Sequence, residues 1–393
     1  MSSRPLNVLS LGKDSSLFAS KDGASTGDAR LRHLYYAKRL AERAPGSQMR
    51  VVAYSSGPDA HWFERASEHL TLFGTRSRTR AGFLLDLRRR LRDVLADGWR
   101  PDVITSQEPW EEGWMAQSLA RRVGARDVPQ LHFDIMADAW VGESPINRVK
   151  RVLARRVITR ASHVRVVSEP LKLLLADRWK VDPQRISVAP VGVNFKPSNL
   201  GRIEGRQKLD ASLAGKRLVL FVGRLVAQKQ LPLWLEVARR VHEQRPESHF
   251  VIVGDGELRA SLESRARELG IAPAVSFLGS RQHAELPDIY AAADVFLLTS
   301  DYEGFGRVVL EAMLAARPVV STICSGPEDL VVNGQSGFLA ARGDTDALTD
   351  HVTRLVADPA LAAAMGAEGA RIADARFGLA ALTDRIIDVW LRA

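Results

Sequence analysis

The sequence predicts an α/β protein made of two parallel-sheet domains, and three observations carry that prediction. Short apolar runs of strand length alternate with helical-period segments throughout the chain. The alternation is interrupted by a stretch rich in Pro, Gly, Asn and Lys, residues 190–205, after which it restarts. The length of 393 residues, with 46% hydrophobic and 7% aromatic content, suffices for two domains of roughly 100 to 200 residues each.

Taken in order, the strands expected in the first half are 7–11, 51–54, 103–105, 130–133, 163–167 and 186–189, with amphipathic helices such as 29–42 and 84–96 between them. After the linker the expected strands are 218–222, 250–253, 275–278, 295–298 and 318–321, each followed by a loop or helix. The domain expectation is therefore 1–195, 196–375 and a final helix, 376–393, that crosses back to the first domain. Two such domains facing each other would bring strand C-terminal ends, and with them the ligands, to a central cleft.

Composition removes several classes. The 18 Pro and 29 Gly follow no collagen-like period, and no uncharged apolar run approaches the ~20 residues of a membrane helix. The start of the chain lacks a cationic segment followed by a long apolar core, so a cytoplasmic protein is expected. Cys324 is the one cysteine, which excludes internal disulfides, zinc ribbons and redox pairs. The net charge of +9 is unevenly spread: residues 1–200 hold 33 Lys/Arg against 21 Asp/Glu, and residues 201–393 hold 22 against 25. Basic clusters in the first half, including 148–160, suit an anionic surface or an ordinary solvated helix face. In that segment Val149, Val152, Leu153 and Val157 at helical spacing describe either a lipid-docking face or a stripe turned to the core.

The most informative stretch is Thr299-Ser300-Asp301-Tyr302-Glu303-Gly304-Phe305-Gly306-Arg307, which follows a strand and opens a helix. Glycines there let a ligand approach the backbone, and a helix start favours a phosphate. Glu303 and Glu311 lie eight residues apart, about 10 to 12 Å along a regular helix. Glycosidase acid/base pairs sit roughly 5 to 9.5 Å apart, so these two carboxylates suit two parts of an extended ligand, and a nucleotide sugar has that span. Taken alone, the same residues describe an ordinary helix with Glu near its start. A second cluster, Phe221-Val222-Gly223-Arg224-Leu225-Val226-Ala227-Gln228-Lys229, places two cations after a strand, where they could stabilise charge growing on a leaving diphosphate. In the first half, Gln107 and Trp110 follow a strand and could hold an acceptor sugar, by stacking on the indole, or could belong to the core. Gly254-Asp255-Gly256 lacks the third glycine of a dinucleotide fingerprint, and no G-x4-G-K-[ST] loop occurs.

Together these residues resemble the retaining glycosyltransferases of family 4, of GT-B fold. The resemblance runs through Val222-Gly223-Arg224-Leu225 with Lys229, Val253-Gly254-Asp255-Gly256, Phe277-Leu278-Gly279, the E-x7-E pair Glu303 and Glu311, Gly326-Pro327-Glu328 and Asn333-Gly334-Gln335-Ser336-Gly337. It implies two Rossmann-like, doubly wound domains facing a central cleft. It also implies that Arg224 and Lys229 hold the donor diphosphate, Glu311 the ribose, and Glu303 with the amides of Gly304, Phe305 and Gly306 the donor sugar, with the base near 279–282 and hence near Arg281. On the first domain it implies a glycine loop, here with Gly27, a histidine near the sugar, here His132, and Asp134 beside it on the acceptor side. The usual double glycine is reduced to Gly27-Asp28, and Gln230 replaces the small residue that usually follows the lysine.

The expected reaction is front-face displacement with retention, needing no protein nucleophile, no cofactor and no metal; Asp344-Thr345-Asp346 reads as a helix cap. The expected partners are a nucleotide-sugar donor, a glycan, lipid-linked or small-molecule acceptor, and an anionic membrane surface touched peripherally, but not nucleic acid. The expected role is polysaccharide or glycoconjugate synthesis at the cell surface. The alternatives are a GT-B nucleotide-sugar epimerase or phosphorylase, the latter needing a lysine for pyridoxal phosphate, and a nonenzymatic polyanion-binding protein.

Overall fold

A computed structural model describes residues 4–14, 17, 28–54, 63–75, 80–193 and 195–393. The chain divides into two units, one formed by the residues before Phe195 together with Leu379–Ala393, the other by Phe195–Gly378.

The first unit holds, among its described residues, an eight-stranded sheet. Its strands are β1 (Val8–Gly12), β2 (Met49–Tyr54), β3 (Phe63–Arg65), β4 (Leu70–Thr75), β5 (Val103–Ser106), β6 (Arg126–Leu131), β7 (Val164–Val166) and β8 (Ile186–Val188). Their order is β3-β4-β2-β1-β5-β6-β7-β8, parallel except for β3 against β4. The strands that line the middle are buried along their length, as apolar runs covered by helices on both faces must be. The expected strand 130–133 lies instead at Arg126–Leu131. Its charged start is possible because Asp127 accepts hydrogen bonds from the Ser162 amide (3.0 Å) and hydroxyl (2.9 Å) and from Gln117 (3.1 Å).

The helix Leu379–Arg392 belongs to this first unit. Ile386, Ile387, Val389 and Trp390 join the core that also contains Val8, Leu40, Val51 and Val103. Arg39 donates to both carboxylate oxygens of Asp384 (2.9 and 3.0 Å), and Arg43 donates to Asp388 (2.7 Å), fixing the helix against Asp28–Arg43.

The second unit carries a six-stranded parallel sheet: β9 (Arg217–Val222), β10 (Ser248–Val253), β11 (Val275–Gly279), β12 (Val295–Leu298), β13 (Val319–Thr322) and β14 (Gly337–Ala340), in the order β11-β10-β9-β12-β13-β14. The helix Leu231–Gln244 buries Leu231, Trp234, Leu235, Val237, Ala238 and Val241 on one face. Its Trp234 meets Phe221 and Phe250 edge-on, and the indole N–H donates to the Leu297 carbonyl at 3.0 Å, so a large ring sits in the core without an orphaned donor. Asp344 accepts from the Ala347 amide at 3.0 Å and caps the helix Thr345–Ala357.

Both sheets reverse direction. In the first unit the order runs outward from β1 one way and from β5 the other; in the second unit the break lies between β9 and β12. Loops leaving adjacent strands diverge at such points and leave a crevice at the carboxyl ends.

Candidate functional site

In the second unit, the loops after β9 and β12 flank the switch point and are tied to each other. Thr299 Oγ1 donates to the Lys229 carbonyl (2.9 Å), the Asp301 amide to the Gln228 carbonyl (3.0 Å), Gln228 Nε2 to the Tyr302 carbonyl (2.6 Å) and Gln230 Nε2 to Asp301 (2.6 Å). Gln230 sits in the left-handed region at φ 48°, a conformation its bond to Asp301 helps hold. The result is a charged pair in a nearly dry setting: Lys229 Nζ donates to Glu303 Oε1, both residues are 8% exposed, and Ser300 Oγ donates to the same oxygen at 2.7 Å.

Close backbone approach shapes the floor. A Cβ on Gly254 would collide with the Gly223 carbonyl, and a Cβ on Gly326 would run into the Phe305–Gly306 peptide. Gly254 thus lets the end of β10 pack beneath the Arg224 loop, and Gly326 seats Ser325–Leu330 under the loop that leads into the helix Arg307–Leu314. Gly306, in the left-handed region at φ 76°, opens that helix. Gly304 is half-buried and Phe305 is buried against Phe377, so what that segment offers a ligand is its backbone.

Glu311 is buried, and one of its oxygens accepts the Tyr290 hydroxyl at 3.0 Å. Burial, and then the Glu311 carboxylate, push that hydroxyl well above its ordinary pKa, so it stays a donor and orients the acid. Arg224 is exposed at the end of β9, and its side chain makes no hydrogen bond or ion pair with any described residue. Arg281 is exposed with Glu285 3.6 Å away. Burial and the Glu303 carboxylate raise the Cys324 thiol, which leaves it unreactive. Tyr290, on the helix Leu286–Ala292, is a partner that nothing in its local sequence marks, whereas Ser300 stands inside the Thr299–Arg307 stretch without a signal that ties it to Glu303.

In the first unit, Lys13 after β1 meets three acids from the segment after β5: Glu108 (3.4 Å), Glu111 (3.4 Å) and Glu112 (3.2 Å). Glu112 has no exposed side-chain surface, and burial pushes its pKa up to about 8 against the pull of Lys13. Gln107 Oε1 accepts the Lys13 amide at 3.2 Å and so shapes this loop. Trp110 is 2% exposed, stacked on Trp140 at 6.1 Å, flanked by Phe133 and bonded through its indole N–H to Glu108 at 2.6 Å. Its ring has no open face for a sugar; it is core. Asp134 accepts the amides of Met136 (2.8 Å) and Ala137 (3.1 Å) and caps a turn.

His132 follows β6 beside Arg165, a buried guanidinium whose Nε donates to the Ala189 carbonyl (2.7 Å) and Nη1 to Gln130 (2.7 Å), while Nη2 has no hydrogen-bond partner. Burial, and then the charges of Arg165 and Arg32, push His132 down to about 3, so its imidazole is neutral. A histidine lowered from its ordinary ~6.5 binds protons more readily unfolded, so its contribution to stability is lost as pH falls from that value toward about 3. His132→Gln is therefore expected to flatten the acid side of a denaturation series between pH 6.5 and 4.5, by at most about tenfold in the unfolding constant per pH unit; an unchanged slope would contradict the assigned neutrality. Gly27 lies outside the described residues. Among the described residues no group of three or more His, Cys, Asp or Glu is placed to hold a metal ion.

Comparison with known proteins bears on this arrangement. Residues 206–371 match the family described as Glycosyl transferases group 1, and residues 31–192 match the Glycosyl transferase 4-like domain. The chain is 31% identical over 320 residues to the D-inositol 3-phosphate glycosyltransferase of Thermobispora bispora, covering 77% of this chain and 73% of that protein. It is 26% identical over 289 residues to the alpha-D-kanosaminyltransferase of Streptomyces kanamyceticus, covering 69% and 72%. The sucrose-phosphate synthase of Thermosynechococcus elongatus shares the fold, with a TM-score of 0.80 over 98% of each chain at 21% identity.

Proposed function

The chain belongs to the glycosyl transferases group 1 family of GT-B glycosyltransferases, and from that premise we propose that it moves a sugar from a nucleotide donor with retention, using the Lys229, Glu303 and Arg224 cluster. The observation that carries the reading is the buried Lys229–Glu303 pair at the β9/β12 switch point, where a crevice, a cation and a ready-made acceptor coincide.

Lys229 and the unengaged Arg224 take the diphosphate and stabilise the charge that develops on it as the anomeric bond breaks. Glu303, held by Ser300 as well as Lys229, accepts hydroxyl hydrogen bonds of the sugar, and the backbone of Gly304 to Gly306 at the helix start faces the same group. Glu311, aimed by Tyr290, takes the ribose diol. Arg281 lies toward the base. The acceptor hydroxyl attacks on the face the leaving phosphate vacates, passes its proton to that phosphate, and the configuration is kept. The two cations supply the charge stabilisation without a resident metal or cofactor.

The relatives include a D-inositol 3-phosphate glycosyltransferase and an alpha-D-kanosaminyltransferase, so substrates vary within the family. For this chain the helix Pro145–Arg160 favours an acceptor at a membrane surface. Ile146, Val149 and Val152 are 54, 61 and 70% exposed, and between 145 and 160 the segment carries Arg148, Lys150, Arg151, Arg155, Arg156 and Arg160 and no acid. Among the described residues no helix is long and apolar enough to cross a membrane, so such contact would be peripheral. On this reading Arg155→Glu/Arg156→Glu releases the protein from phosphatidylglycerol-containing vesicles, lowering the partition at least tenfold at about 1 kcal/mol per cation; equal sedimentation of parent and variant would remove the membrane from the proposal.

The donor is tested by thermal stabilisation with UDP-, GDP- and ADP-sugars, because only a ligand of the folded state raises the melting temperature, followed by assignment of the product's anomeric configuration. An inverted product, or no stabilisation by any nucleotide sugar, would refute the proposal.

A further inference from the structure

A second cationic cavity lies at the other end of the donor-type sheet. About 920 Å³ in volume, it opens beside Arg217, the first residue of β9, and beside Arg245 and Glu247, just before β10. The candidate site sits at the carboxyl end of the same strand, six residues on, so the two are separated by the length of the strand, about 20 Å.

The cavity is lined by five cations, Arg202, Arg206, Lys216, Arg217 and Arg245, against two acids, Glu204 and Glu247. Part of that charge is already used. Arg206 is buried and donates to Asp294 (2.5 Å) and to the Ala292 carbonyl (3.0 Å); Arg217 lies 3.8 Å from the other oxygen of Asp294. Glu204 is turned back to accept the Gly201 amide at 2.9 Å. The side chains of Arg202 and Arg245, in contrast, make no hydrogen bond or ion pair with any described residue, and their Nε atoms are buried. Lys216 is exposed at the rim. The surplus is felt nearby: burial, and then Arg202, hold Arg317 down to about 10.

The Nε atoms of Arg202 and Arg245 are closed off, so the donors a ligand in the cavity can meet are the outer guanidinium nitrogens, which no described residue engages. A planar guanidinium matches the paired oxygens of a phosphate, and the volume admits a small molecule. We infer that this cavity is a binding site for a small multivalent phosphate, distinct from the donor crevice and gripped by Arg202, Arg245 and Lys216. It owes nothing to the donor assignment, and a ligand there would touch neither Lys229 nor Glu303.

The probe is inorganic pyrophosphate, titrated calorimetrically into the full chain at 0.15 M salt. The parent is expected to bind at two sites, one in the donor crevice. Arg202→Gln/Arg245→Gln should weaken one of them at least tenfold and leave the other. Lys216→Glu, at an exposed position where folding is not at stake, should weaken the same site several-fold. Arg224→Ala should affect only the other. If both cavity variants bind pyrophosphate as the parent does, the site does not exist. If instead Arg224→Ala changes nothing while the cavity variants lose binding, the donor reading fails and this inference stands.

Discussion

Lys229→Met is expected to lower the transfer rate at least a hundredfold, since removal of a single preorganised donor from a charge-stabilising site typically costs 10² to 10³ in rate. The substitution also leaves Glu303 buried with only Ser300 as a partner. Breaking a buried pair by removing one member costs about 3 to 5 kcal/mol, so chemical denaturation should register the same change. Lys229→Met/Glu303→Gln separates the two effects: it removes the uncompensated charge and should recover most of the stability, but none of the transfer. Transfer by Lys229→Met within tenfold of the parent would show that this pair is a structural clamp between the loops after β9 and β12 and that the chemistry lies elsewhere.

The second large effect is expected at Gly254. An alanine there must find room against the Gly223 carbonyl while holding φ at 132°, a region L side chains rarely adopt. Overpacking costs typically 1 to 3 kcal/mol and an unfavourable backbone conformation of order 1 to 3 more. Relief can come only by moving the segment that carries Arg224 and Lys229, because Gly254 N also donates to the Gly279 carbonyl at 2.9 Å and is fixed from behind. Gly254→Ala should therefore lower the denaturation midpoint and weaken nucleotide-sugar binding together. Gly98, in the first unit, around which a new Cβ would meet nothing within 4 Å, offers the control for a positive-φ glycine. Loss of stability with unaltered binding would mean that the Arg224 loop does not depend on this packing.

The second unit was largely legible because its strands are unbroken apolar runs, such as Phe250–Val253 and Val295–Leu298, that end in glycine or polar turns. The site residues there stand within short motifs, so their neighbourhood could be read even though their partners could not. Tyr290 comes to Glu311 from another helix, and such a pairing is set by packing. The first unit was harder. β4, Leu70–Thr75, and the three-residue antiparallel β3 carry too little pattern to predict a strand, since only Leu70 and Leu72 alternate before Phe73 breaks the period. Trp110 shows the limit of residue type as a guide: an indole after a strand suits a sugar or a core, and only Trp140 and Phe133 decide which. Arg165 shows the converse, a charged residue inside a strand that alternation treats as an exposed position but that the fold buries with an unmet donor beside His132.

The return of Leu379–Arg392 to the first unit has a bearing on how the protein comes into being. Ribosomes release chain from the amino end at about 5 to 20 residues per second. Phe195–Gly378 can close on itself once its own strands have emerged, whereas the earlier-made sheet must wait for Ile386, Ile387 and Trp390 before its hydrophobic interior is sealed. The portion translated second is thus the one able to mature first, and the portion translated first spends the intervening seconds with an open seam beside Tyr36 and Leu40 that chaperones are suited to guard.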